Sequence, residues 1–442
     1  MSTDRSSAPP WLDGNPQLDR PLFVQFCANK PEELLEAAQY VAPYCDAVDL
    51  NLGCPQGIAK AGRYGAFLQE DWATIYQLIH KLHTELPIPV TAKMRILETK
   101  EKTLEYAKMI LSAGASILTV HGRRREQKGH YMGVADWSVI RYLRDNLPPD
   151  TVLFANGNIL NPEDLEPCLA ATGADGVMSA EGNLSNPAIF AHPPTTPSRE
   201  YWYGLHGLGG YRIDGVFRRY MDIIHKYVLE KPPPERPPLY LPGDLLSESM
   251  AGGRPSRAPD KFLQGTKRKR GNNPANRSPS LVAMQGHLFQ LLKPMLSTHT
   301  DIRDALAKCR LGDIDAFEHV LSMVEDAVKG GLDEEAAAQR SQPQAASEKT
   351  AEGEDATTPS QRTIAKYKRP WWVCQPHIRP LPEEALKLGS ITLSKREKAK
   401  AEMEKKMKDQ DNAVQPSDDL PDRQRPCDTV SNELPKAALV CG

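Results

Sequence analysis

Cys54 lies in the run Asp49-Leu-Asn-Leu-Gly-Cys-Pro55, and Tyr64-Gly-Ala-Phe67 follows shortly after it. A thiol titrates near ~8.5, so a cysteine is mostly protonated at neutral pH and can give up a proton with no large shift. Asn51 supplies an amide beside the thiol, Gly53 lets backbone approach a flat ligand closely, and Pro55 fixes the turn. Taken alone, a lone cysteine reads more readily as an inert buried hydrophobe. Further polar residues close similar runs: Gln25, Lys93 with Arg95, His121 with Arg123, Asn156, and Ser179. Each has a plain structural reading too. Lys93 and Arg95 could be a solvated strand end, His121 a satisfied core histidine, and Gly157 and Gly182 turns that start helices.

The elements that must position these residues alternate strictly. Short apolar runs at 22–27, 47–51, 88–93, 117–121, 152–156 and 176–179 have the Val, Ile, Leu and Phe content of strands buried on both faces. Helical patterns fill the gaps at 31–44, 71–86, 101–113, 136–147 and 162–171, several opening on Asp, Asn or Pro. Strand–helix alternation of this density predicts an α/β fold with a parallel sheet. Polar residues at the C-terminal end of every strand favour a barrel over a doubly wound sheet, which would gather them at one switch point. Six of the eight βα units of a TIM-type (β/α)8 barrel can be counted.

Seven motifs in register make the chain resemble the tRNA-dihydrouridine synthases, most closely the eukaryotic branch acting on positions 16 and 17 of the D-loop. They are Val24-Gln-Phe26, Asp49-Leu-Asn-Leu-Gly-Cys-Pro55, Gly65-Ala66, Lys93-Met-Arg95, Thr119-Val-His-Gly-Arg123, Ala155-Asn-Gly-Asn158 and Met178-Ser-Ala-Glu-Gly182. The resemblance implies FMN as cofactor, NADPH or NADH as reductant, tRNA as substrate, and reduction of one uracil C5–C6 bond. It implies Cys54 as the acid that protonates C5. Gln25, Lys93 and His121 would lie against the flavin, with Lys93 at its N1–O2 edge. Asn51, Arg95 and Arg123 would face the substrate. The flavin phosphate would sit on the loops Asn156-Gly157-Asn158 and Ala180-Glu181-Gly182-Asn183. Many family members carry Gly-Arg where this chain has Ala180-Glu181, so the phosphate contact would come from backbone N–H groups. The basic loop Arg123-Arg-Arg125 with Lys128 is either solvated surface or a phosphate contact.

Family members place two strands before the one matching 22–27, the first ending in a Pro-Met turn against the flavin. The residues before Leu22 are polar, proline-bearing and featureless here. The expectation is a barrel short of two βα units, with one wall of the flavin site missing and activity impaired. Two other functions stay open: a flavin barrel reducing free pyrimidines, and a catalytically inactive tRNA-binding relic.

Composition excludes little. Among 442 residues, 55 Lys and Arg face 57 Asp and Glu, for a net charge of −2. The eight cysteines are scattered singly without a Cys-x-x-Cys pair, unlike a disulfide framework or a metal site. No apolar run reaches the roughly 18 residues of a membrane span. The expectations are therefore a cytoplasmic protein with no metal and no membrane partner, acting as a monomer. Cys27, Cys45 and Cys168 read as structural.

The organisation read from sequence is an unstructured stretch 1–20, a barrel over 21–198 and a helical tRNA-binding domain over 199–330. An unstructured insertion, 231–280, splits the helical domain, and a mostly unstructured tail, 331–442, follows it. Helical periodicity runs over 211–229, 281–296, 300–308 and 313–328, with Arg218, Arg219, Lys226, Lys293, Lys308 and Arg310 available for phosphates. Inside the insertion, the run Lys267, Arg268, Lys269, Arg270 could be a nuclear localisation signal or an electrostatic tether for tRNA. In the tail, an ordered motif at 363–380 carries two Trp and several cations. It either docks on the protein or stacks on RNA, and docking is the preferred reading. A charged helix is expected at 394–408.

Overall fold

The computed structural model of the chain describes residues 19–129, 133–204, 209–244, 279–341 and 368–376. The basic run 267–270, the expected helix 394–408, most of the insertion and tail, and residues 1–18 lie outside the described residues.

Parallel strands β1 (Phe23–Phe26), β2 (Ala47–Leu52), β3 (Val90–Arg95), β4 (Ile117–His121), β5 (Val152–Asn156) and β6 (Gly176–Met178) form one sheet in sequential order. Between them run α1 (Pro31–Val41), α2 (Gly57–Gly62), α3 (Trp72–Glu85), α4 (Lys100–Ser112), α5 (Trp137–Asn146) and α6 (Leu165–Thr172). Successive helices pack side by side, α1 on α3, α3 on α4, α4 on α5 and α5 on α6, so they form one layer over one face of the sheet. The result is a curled, TIM-type α/β half-barrel in which β1 and β6 stand at the sheet edges among the described residues.

Helix starts follow their capping residues. Asp71, Thr99 and Asp136 each accept a backbone N–H from the first turn of α3, α4 and α5, satisfying a donor that the helix leaves orphaned.

The central strands are buried on both faces, as their composition implies, yet the two faces differ in chemistry. Val48, Leu50, Leu52, Val90, Ala92, Met94, Leu118, Val120, Leu153 and Ala155 pack under the helices. The register pairs Gln25, Asp49 and Thr91 across one row, Asn51, Lys93 and Thr119 across the next, and Arg95, His121 and Asn156 across a third. Residues two apart on a strand share a face, so these rows make one polar inner surface.

Beyond the barrel, a short α7 (Glu181–Ser185) precedes an antiparallel pair of β7 (Tyr201–Tyr203) and β8 (Gly209–Tyr211) that sequence patterning did not signal. A second core then forms among α8 (Ile213–Ile223), α9 (Pro279–Leu291), α10 (Thr300–Lys308) and α11 (Ile314–Ser341). Helix α11 continues well past residue 330, where an unstructured tail was expected to begin.

Residues 231–244, read from sequence as part of an unstructured insertion, lie along this core. Arg236 bonds Asp222 and, at 2.7 Å, Glu318; Leu239 is buried; Tyr240 donates to Asp333 at 2.5 Å. A proline-rich extended strap has no helical or strand period to betray it. Arg218, considered available for phosphate, is instead taken by Glu325 at 2.6 Å and the Pro237 carbonyl at 2.7 Å.

The segment 368–376 docks. Trp372, Val373 and Cys374 enter the second core, Trp372 O accepts from Ile213 N at 2.9 Å, and Cys374 N donates to Tyr211 O at 2.9 Å. Gly331 on α11 makes room: a Cβ there would lie 2.7 Å from the Trp372 ring. Arg369 reaches the Gly209 carbonyl at 3.1 Å and Glu163 of the barrel, so one short segment fastens both cores. Trp372→Ala should cost about 3–5 kcal/mol, read as a lowered denaturant midpoint; an unchanged midpoint would show that the segment only rests on the surface.

Candidate active site

Cys54 sits on the turn leaving β2, at the C-terminal rim where barrel enzymes keep their chemistry. Its placement is traceable to a buried carboxylate. Asp49, 6% exposed, accepts from Thr91 Oγ1 at 2.7 Å and from Gln25 Nε2 at 2.6 Å. With its nitrogen so committed, Gln25 presents Oε1, which accepts from Asn51 Nδ2 at 2.8 Å. Asn51 must then present Oδ1 toward the turn, where it accepts from Gly53 N at 2.9 Å and Cys54 N at 3.0 Å. A carboxylate has no donor, so it fixes the direction of every amide in the chain. Burial pushes the Asp49 pKa up, opposed by the bonds from Gln25 and Thr91 and by the charge of Lys93.

The turn is gripped from the other side as well. Ala66 N donates to Cys54 O at 3.1 Å. Gly65 has φ +62° and passes so close that a Cβ would lie 3.0 Å from the Cys54 Cβ. Arg95 Nε donates to Gly53 O at 2.7 Å and its Nη1 to Arg124 O at 3.0 Å. Lys128 Nζ reaches Pro55 O at 2.9 Å, and Arg125 Nη1 reaches Ala66 O at 3.1 Å. The basic loop 123–128 is thus folded over the cysteine turn and fastened to its carbonyls.

Lys93 extends from the row beside Asn51 and makes no hydrogen bond or ion pair among the described residues. Burial, with the charge of Arg95, pulls its pKa down to about 8, against the attraction of Asp49. His121, one row further along, is depressed to about 2 by burial and by Arg95, Lys93 and Arg123, and is therefore neutral. Arg95 is itself lowered to about 10 by burial and by Arg123, and stays charged.

Other expected site residues are already engaged within the protein. Arg95 and Arg123 are 8% and 2% exposed, and the guanidinium bonds described go to protein carbonyls and side chains. Asn156 Nδ2 donates to Met178 O at 2.7 Å. Asn158, at φ +65°, spends its Oδ1 on Arg123 and Ala135 N. The loops carrying Gly157 and Ala180-Glu181 do come together. Ser179 Oγ donates to Ile159 O at 2.8 Å, and Gly182 lies so near that a Cβ would meet Ile159 O at 2.5 Å.

Cys27, read as structural, proves to adjoin the site. Its Sγ lies 3.9 Å from Asn51 O, and burial with the charges of Cys54 and Asp49 pushes its thiol up to about 11. Asp49 and Thr91 escaped sequence reasoning, although a carboxylate two residues before Asn51 on one strand face was the available signal.

A half-barrel with a cysteine on a rim turn, a free ammonium one strand away and glycine-lined loops beyond is a ligand-binding enzyme scaffold. Residues 9–203 match the family described as Dihydrouridine synthase (Dus). The chain is 44% identical over 369 residues to the tRNA-dihydrouridine(16/17) synthase [NAD(P)(+)] of Schizosaccharomyces pombe, covering 82% of this chain and 74% of that one. It is 41% identical over 398 residues to the like-named protein of Saccharomyces cerevisiae, covering 89% and 78%. A rat protein named tRNA-dihydrouridine(16/17) synthase [NAD(P)(+)]-like is 36% identical over 378 residues, covering 86% and 65%. The chain belongs to the dihydrouridine synthase family.

Substitution of Asp49 tests the chain of amides. In Asp49→Asn the new amide can still accept from Gln25 by turning its Nδ2 to the Thr91 hydroxyl, which can accept. Inversion of Gln25 and Asn51 is expected there only where the new Oδ1 stays with Thr91 and the new Nδ2 faces Gln25. Asp49→Ala removes the acceptor outright, and the expected result there is a loss of about 1–3 kcal/mol of stability together with faster alkylation of Cys54 by iodoacetamide, followed by peptide mapping. Unchanged stability and alkylation would mean that the turn holds itself.

Proposed function

We propose that this chain is a tRNA-dihydrouridine synthase, reducing uridine in the tRNA D-loop, at positions 16 and 17, to 5,6-dihydrouridine with NADPH or NADH through bound FMN. The observation that carries the reading is Cys54 held by hydrogen bonds on both sides of its peptide at the barrel rim, one strand from the uncommitted cation Lys93. The yeast relatives named for this activity support it across most of their length.

The residues present fit a flat, electron-accepting ring. The inner face offers Lys93 without an internal partner, and Gly157, at φ +105°, keeps its corner bare: a Cβ there would come within 2.7 Å of Ala135 Cβ. When bound, FMN supplies the hydride that uracil C6 accepts. Cys54 Sγ–H gives the proton to C5 as the double bond is lost, and its thiolate recovers a proton from solvent. Lys93 holds positive charge where a reduced ring gathers electrons. The polar rim keeps the pyrimidine oriented against Cys54.

Reduction of free pyrimidine is the competing reading. The second core and the basic loop over the active turn favour a large anionic substrate.

Cys54→Ala should retain tRNA binding yet slow dihydrouridine formation by about 100- to 10,000-fold, measured by mass spectrometry of digested tRNA. Unimpaired turnover would remove Cys54 as the acid, and equal activity on free uridine would replace the tRNA reading.

Lys93 predicts the alkaline limb of the pH profile. Its charge is present below a pKa of about 8 and lost above it, so the rate should fall as pH rises through that value. Lys93→Arg, which keeps its charge, should abolish this limb in the reduction of bound flavin by NADPH, a half-reaction that does not use the Cys54 proton; a limb that persists there belongs to another group.

A further inference from the structure

Arg123 follows the β4 strand end and is 2% exposed. Its Nε and Nη2 both donate to Gly133 O, at 3.1 and 2.9 Å, and Nη2 also donates to Asn158 Oδ1 at 2.6 Å. Those bonds fix the plane of the guanidinium and place Nη1 3.1 Å from His121 Nε2. A guanidinium has only donors and does not deprotonate in proteins. Nε2 must therefore be the acceptor, and the imidazole proton must sit on Nδ1. Gly157 closes the same edge of the ring: a Cβ there would lie 2.9 Å from His121 Cδ2 and 3.2 Å from Nε2.

We infer that Arg123 is a positioning residue that locks His121 as the neutral Nδ1–H tautomer, making it an uncharged hydrogen-bond donor and excluding it from proton transfer. Protonating His121 would set an Nε2–H against the Arg123 N–H in a buried place. The surrounding charges oppose it too. Lys93 and Arg95 from β3 and Arg123 itself are cations, while the β5 side presents uncharged Asn156 and Gly157. Nδ1 makes no hydrogen bond among the described residues. The ligand atom it takes is an acceptor, a carbonyl or phosphate oxygen, and no ligand N–H. Only this assignment to a ligand, and the kinetic test, rest on the synthase reading; the tautomer rests on the protein alone.

The assignment separates two groups that sequence alone leaves equivalent as acids, Cys54 and His121. With the imidazole already neutral, its remaining N–H is far too weak an acid to protonate a carbon, which leaves the thiol.

The test is two-bond 1H–15N correlation of the full chain labelled with 15N-histidine. The His121 signal is assigned by its loss in His121→Gln. The native spectrum should show protonated Nδ1 and bare Nε2, unchanged from about pH 5 to about pH 8, across the range where an ordinary imidazole titrates near ~6.5. A proton on Nε2, or an ordinary titration, overturns the proposal with no need of any variant or of activity.

In Arg123→Leu the ring should gain an Nε2–H population, its protonation should move up toward the accessible range, and the pH–rate profile should acquire an acidic limb absent from the native enzyme. Arg123→Leu with an unaltered His121 signature and raised KM alone would make Arg123 a substrate contact instead.

Discussion

The Asp49 carboxylate is the constraint from which the active turn is built. A buried carboxylate can only accept, so its two donors are dictated, and each amide beyond it has one permitted orientation. The chain ends on the backbone of Gly53 and Cys54, which places the thiol without a single hydrogen bond to sulfur among the described residues. This arrangement leaves Sγ free to lose and regain a proton while its main chain stays fixed. A like logic operates at the other end of the rim, where the donor-only guanidinium of Arg123 sets the state of His121.

Electrostatics on the inner face are asymmetric. Asp49 is the only anion named among the three polar rows, against the cations Lys93 and Arg95, with Arg123 close behind. Two of these cations are consumed in holding loops, and their charge still suppresses protonation of His121 and lowers the pKa of Lys93. The net effect is a positive, hydrogen-bond-donating surface, suited to a ring that takes up electrons and to phosphate. The 368–376 segment then ties this surface to the second core through Arg369.

Much of this was legible in the sequence because two signals coincide. Short continuous apolar runs marked the strands, and the polar residues closing each strand marked the rim, which made Cys54, Lys93 and His121 candidates by position. The antiparallel pair of β7 and β8 was not legible, since three-residue strands such as Gly209–Tyr211 carry no usable alternation. The strap at 231–244 escaped for the opposite reason: Arg236, Leu239 and Tyr240 are isolated anchors in a proline-rich run, and only the partners on α8 and α11 give them meaning. Arg95 and Arg123 show the sharper limit. A guanidinium at a strand end reads alike whether it meets a ligand or caps carbonyls, and the choice depends on where Gly53, Arg124 and Gly133 fall in space.

The central claim is that this rim reduces uridine within tRNA. The measurement that bears on it most directly is incubation of the purified chain with FMN, NADPH and a tRNA transcript lacking modifications, followed by mapping of dihydrouridine along the RNA. The account predicts dihydrouridine at positions 16 and 17, dependent on flavin and reductant. RNA bound tightly but left wholly unreduced, with flavin demonstrably present on the protein, would contradict it.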